Sequence, residues 1–86
     1  MTDYRVVLSR PAERDLDAVP AALHPRLVKA IDDLAINPRP RGVRKLRGAK
    51  DLWRIRLAEY RIIYRIDDAR RLIDISHVRH RKDAYR

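Results

Sequence analysis

Apolar and polar residues alternate along two neighbouring stretches of this chain, and the alternation predicts a β-hairpin. In Trp53-Arg54-Ile55-Arg56-Leu57 and Tyr60-Arg61-Ile62-Ile63-Tyr64-Arg65-Ile66 apolar side chains recur at every second position. That is the period of a pleated strand with one face on a core. A loop centred on Ala58-Glu59 sets residue 57 against 60, 56 against 61, 55 against 62 and 54 against 63. One face then collects Trp53, Ile55, Leu57, Tyr60, Ile62, Tyr64 and Ile66. The other collects Arg54, Arg56, Arg61, Ile63 and Arg65. Ala58-Glu59 lacks the glycine or asparagine that a two-residue hairpin turn favours, so a longer loop is an alternative: an even-length one on the same centre keeps this register, and an odd-length one breaks it.

Upstream, the β-branched run Tyr4-Arg5-Val6-Val7-Leu8 predicts a first strand. Ser9 offers a helix N-cap, and Pro11 is tolerated in the first turn. Glu13 and Asp15 suit the positive end of that helix. Ala12, Leu16 and Val19 recur at helical spacing until Pro20. A second helix is expected over about 21–36, where Leu23, Leu27, Ala30, Ile31 and Leu34 form an apolar stripe. Pro25 belongs in its first turn, and Asn37-Pro38 stops it. A basic loop fills 37–51. Strands follow at about 52–57, 60–66 and 71–78, the last two joined by Asp67-Asp68-Ala69-Arg70. The order βααβββ implies an α+β fold over residues 1–86 as one domain. A small, twisted, mostly antiparallel sheet would carry an N-terminal helical hairpin on one face, with strand one at or near an edge.

Charge sharpens this picture. The 86 residues carry a formal net charge of +9, unevenly spread. Residues 1–37 hold 5 Lys/Arg against 6 Asp/Glu, and residues 38–86 hold 16 against 6. Arginine supplies 17 of the 21 cations, and its fork grips phosphate oxygens two at a time. A nucleic acid or an acidic protein is the expected partner. In the predicted hairpin Arg56 lies directly across from Arg61. Like charges set opposite on a sheet repel, which is better tolerated when an anion lies between them. There is no cysteine, hence no disulfide framework or thiolate metal site. No stretch is long and apolar enough to span a bilayer, and Met1-Thr2-Asp3-Tyr4-Arg5 lacks a signal-peptide pattern, so a cytoplasmic location is expected. His24, His77 and His80 show no metal-ligand spacing, and neither glycine sits in a nucleotide-binding loop. No metal and no cofactor are therefore expected.

Several segments together resemble the RelE/ParE superfamily of bacterial toxins. They are the first strand, Ala12-Glu13-Arg14-Asp15-Leu16, Asn37-Pro38, Lys45-Leu46-Arg47-Gly48, the two alternating strands, and His80-Arg81-Lys82-Asp83-Ala84-Tyr85-Arg86. The resemblance covers essentially the whole length and implies a type II toxin–antitoxin toxin. RelE-like members cleave mRNA in the ribosomal A site; ParE-like members poison DNA gyrase without catalysis. On the RelE-like reading Arg54, Arg56 and Arg61 would grip the substrate and stabilise charge, joined by Arg79 or Arg81 near the end of the last strand. Tyr85 would stack or assist in chemistry. Ala58 departs from the glycine that many members carry there.

On the RelE-like reading the RNA cleaves itself, its 2′-OH attacking the adjacent phosphorus, while the protein aligns the attack and handles two protons. Arginine is a poor base, so His80 is the favoured proton carrier. Asp83 and Glu59 are lesser candidates as bases or arginine orienters. His77, on a strand, is expected to be structural, and Trp53, Tyr60 and Tyr64 to pack in the core. Arg44, Lys45 and Arg47 of the basic loop, with Arg65, are expected to bind substrate. The implied partners are a cognate acidic antitoxin and the mRNA-bearing ribosome, with DNA gyrase as the alternative.

Overall fold

A computed structural model describes residues 3–48 and 51–82. The elements are β1 (Arg5–Leu8), α1 (Arg10–Asp17), α2 (His24–Asp33), β2 (Arg44–Lys45), β3 (Leu52–Leu57), β4 (Tyr60–Asp67) and β5 (Leu72–His80). They build one five-stranded sheet in the order β1-β5-β4-β3-β2. Neighbours are antiparallel except for β1 and β5, which run parallel with Arg5 opposite Leu72 and Leu8 opposite Ile75.

The expected α+β fold holds, with three adjustments. The basic loop contains the two-residue strand β2, which pairs Arg44 with Arg54 and Lys45 with Trp53. Two charged residues give no period to read, so only the neighbouring strand reveals them. The second helix is shorter than its apolar stripe. It begins at His24 behind Leu23, which caps nothing with its side chain, and ends at Asp33, followed by turns through Ile36. The last strand runs on to His80 rather than stopping at 78.

Local chemistry explains the first helix. Ser9 sits in extended backbone, its Oγ accepting from the Ala12 amide at 3.1 Å and donating to the Ser76 carbonyl at 2.8 Å. One hydroxyl thus starts α1 and pins it to β5. Asp15 does something other than complement the dipole. Its Oδ2 accepts from the Val78 amide at 3.0 Å, satisfying the edge of β5 beyond the end of β1.

The core lies between the helices and one sheet face. Ala12, Leu16, Val19, Leu27, Ile31 and Leu34 meet Ile62, Tyr64, Ile66, Ile73, Ile75 and Val78. Trp53, Ile55, Leu57 and Tyr60 pack against this cluster from the same face, half-buried. At the other end of the sheet the loop after α2 is tied down polar group by polar group. The Tyr64 hydroxyl donates to the Pro38 carbonyl at 2.7 Å. Arg39 pairs with Asp68 at 2.8 Å, Tyr4 donates to the same carboxylate, and the Arg39 guanidinium lies 5.0 Å above the Trp53 ring.

Candidate nucleic-acid interface

The hairpin register is the one the alternation predicts: Leu57 opposite Tyr60, Arg56 opposite Arg61, Ile55 opposite Ile62 and Arg54 opposite Ile63. The loop is the short one. Ala58 takes φ 53°, a left-handed value ordinarily given to glycine.

The face away from the helices carries the candidate site. Arg61 stands opposite Arg56 on one side and Arg79 on the other, so three arginines form one row across β3, β4 and β5. The next row runs Arg44, Arg54, Ile63 and His77. A third contains Leu52, Arg65 and Asp74. Neighbouring strands lie about 4.8 Å apart and same-face residues along a strand about 6.6 Å, so these positions share one face, although the Arg79 guanidinium reaches towards Asp15 of α1.

Arg61 is its centre. At 4% exposure it is the only buried charged residue among the described ones, and its Nη1 donates to the Arg81 carbonyl at 3.3 Å. Arg81 in turn is fixed at the rim. Its Nε meets Glu59 Oε2 at 2.9 Å and its amide donates to the Glu59 carbonyl at 2.7 Å. Arg56, Ala58, Glu59, Tyr60, Arg61 and Arg81 line a recess of about 140 Å³. Glu59 is thus ion-paired with Arg81 at the rim. Arg79 is half-exposed, its Nε 3.9 Å from Asp15 Oδ2. The Nε atoms of Arg54 and Arg79 are buried with no hydrogen-bond partner among the described residues, so these guanidiniums keep donor capacity in reserve.

A β-bulge decides which residues of β5 join this face. Ile63 pairs with His77 and Tyr64 with Ile75, which leaves Ser76 as an extra residue on β5. The bulge reverses the parity of everything after it. Val78 turns inward with Ile73 and Ile75, and His77 and Arg79 turn outward. Two expectations change as a result. His80 pairs with Tyr60 on the helix side, ring against ring edge-on at 5.3 Å, so it does not share the arginines' face. His77, expected to be structural, does. The apolar residue at 78, out of step with 73 and 75, was the signal available in the sequence.

The remaining expected site residues divide. Arg44 and Arg65 lie on the open face. Lys45 lies on the other, its Nζ 5.9 Å from the centre of the Trp53 ring, because pairing with Trp53 fixes its side. Arg47 is exposed in the turn before Gly48. Asp83 and Tyr85 fall outside the described residues. No group of three or more metal-ligating side chains occurs among the described residues. No helix of the structure is long and apolar enough to cross a membrane.

Comparison with known proteins agrees with this architecture. The sequence model described as "ParE toxin of type II toxin-antitoxin system, parDE" matches residues 6–85. Two Mycobacterium tuberculosis proteins are similar across 96% of the chain. Toxin RelG is 34% identical over 97% of its own length, and Toxin RelE 30% over 87%. The archaeal RelE–RelB complex from Pyrococcus horikoshii superposes with a TM-score of 0.82 at 35% identity, covering 98% of this chain and 100% of that one. The RelBE2 toxin–antitoxin complex from M. tuberculosis gives 0.80 at 31%, covering 91% and 98%. The chain belongs to the RelE/ParE family and is a toxin of a type II toxin–antitoxin system.

Proposed function

We propose that this toxin is a ribosome-dependent mRNA endonuclease. The observation that carries the proposal is the Arg56–Arg61–Arg79 row, with its middle member buried and Arg54 and Arg81 beside it. Arginines at three paired backbone positions are unfavourable for a sheet in isolation. The recess that Arg56, Arg61 and Arg81 line suits a phosphodiester, with Arg79, which reaches towards Asp15 of α1, at its margin. The similarity to proteins named RelE and RelG supports the same reading.

In the reaction the 2′-oxygen bonds to phosphorus, the P–O5′ bond breaks, and a cyclic phosphate and a 5′-OH remain. Extra negative charge collects on the non-bridging oxygens. Arg61 and its row neighbours stabilise it, in a site where donors are already held in place. Arg44 and Arg65 steer the flanking phosphates. Trp53 and Tyr64 pack on the helix side and are not stacking platforms. That favours a substrate presented by a larger assembly over free RNA.

Purified toxin added to ribosomes programmed with mRNA should produce discrete cleavages, mapped by primer extension. Arg61→Ala should lower the rate by about 100-fold or more. A second reading, non-enzymatic inhibition of DNA gyrase, is favoured by the match to the ParE family model. Inhibition of supercoiling with no mRNA cleavage would decide for it. On either reading the partner is an acidic, amphipathic antitoxin lying over the arginine face or the helical hairpin, and added salt weakens the complex.

A further inference from the structure

We infer that His77 is the general base of the proposed cleavage, taking the proton from the attacking 2′-hydroxyl. This rests on the endonuclease reading and adds to it the proton acceptor that arginine cannot be. The inference comes from the bulge at Ser76. The extra residue places His77 on the open face, next to Arg79 along β5 and opposite Ile63, diagonal to Arg61.

The other histidines are elsewhere. His24 begins α2, and His80 packs on Tyr60 behind the sheet. Around His77 the charged groups are Arg61 and Arg65 on β4, Asp74 and Arg79 on β5, and Arg54 beyond Ile63 on β3. Asp74 faces Arg65, and Glu59, farther along, is held by Arg81. A same-face spacing of about 6.6 Å along β5 sets the imidazole one side-chain step from Arg79. A ribose next to a phosphate on the arginine row falls within reach of the ring.

The ring is also oriented. Its Nδ1 lies 3.0 Å from the hydroxyl of Ser76, the bulged residue itself. When Nδ1–H is the donor in this contact, the lone pair is on Nε2, and that is the tautomer the proposal requires. Nε2 makes no hydrogen bond among the described residues. As O2′ bonds to phosphorus its proton passes to Nε2. The departing O5′ takes a proton from water, and the imidazolium returns its proton to solvent.

Single-turnover cleavage on programmed ribosomes tests this, with His77→Gln and His77→Ala compared with wild type across pH. A general base contributes about 100-fold or more, so both variants should cut at least that much more slowly. Their affinity for the ribosome, measured by pelleting, should be unchanged. Wild-type cleavage should fall as pH drops, since a protonated ring accepts nothing, and His77→Gln should flatten that limb. Added imidazole should partly restore His77→Ala, which a purely structural histidine would not allow. Variants within about 3-fold of wild type, or a slowed variant that keeps the acid limb and ignores imidazole, would overturn the assignment while leaving the endonuclease reading intact. Wild-type toxin that cuts nothing would overturn both.

Discussion

Arg61 carries both a structural and a functional demand, and its neighbours show how they are reconciled. It is almost fully buried, yet it sits on the face away from the helices, held by the Arg81 carbonyl. Arg61→Lys keeps the charge but loses the planar fork and its bond to the Arg81 carbonyl, so activity and the thermal midpoint should both fall. At the far end of the sheet Tyr64 and Asp68 hold the loop. Burial pushes the Tyr64 hydroxyl up to about 12, against a smaller opposing effect from Arg39, and it stays a donor to Pro38 at all ordinary pH. Tyr64→Phe should cost about 1 kcal/mol or somewhat more, read by urea denaturation, because the Pro38 carbonyl loses its donor. Hydrogen bonds from Arg39 and then Tyr4 hold the Asp68 carboxyl down at about 2, below its ordinary 3.8. A depressed carboxyl stabilises the fold above its unfolded value and loses that contribution as pH falls through the folded one. Melting curves of wild type and Asp68→Asn should therefore differ above about pH 4 and converge towards pH 2. A constant gap over that range would contradict the pairing.

Among the elements, the β3–β4 hairpin was the most legible, since strict alternation fixes both faces and register at once. The β1–α1 junction was legible too, because Ser9 and Pro11 are chemically specific signals. What escaped the sequence were features set by partners. Strand β2 exists only because β3 offers it an edge. The role of Asp15 depends on where β1 stops, and the face of His77 depends on one extra residue in β5. Of the site, Arg54, Arg56 and Arg61 could be placed from alternation alone, whereas Arg79, His77 and His80 could not, because the bulge reverses alternation midway. The hairpin also stores a small conflict. Ala58 occupies a left-handed turn position, so Ala58→Gly should stabilise by about 0.5 kcal/mol, the relief of strain outweighing the entropy glycine adds to the unfolded chain. Arg56→Thr should likewise stabilise the fold by about 0.5 kcal/mol, read by urea denaturation, while weakening the proposed cleavage. A variant that lost both stability and activity would show that the row is not repulsive.

For the molecule as a whole, one sheet has two unlike sides. Helices cover one, and the other gathers much of the excess positive charge. Salt should therefore weaken association with an anionic partner, the proposed antitoxin included. The parallel pairing of β1 with β5 has a consequence in time. Strand β1 is synthesised before every other strand, yet its partner follows 67 positions later, as the Ser9–Ser76 contact measures. Contacts that distant in sequence form slowly and late. The helical hairpin and the β3–β4 ribbon can condense while translation proceeds, but Arg79 cannot join Arg56 and Arg61 until β5 has emerged. On the endonuclease reading proposed above, a nascent copy is thus harmless to the machine producing it for most of its synthesis.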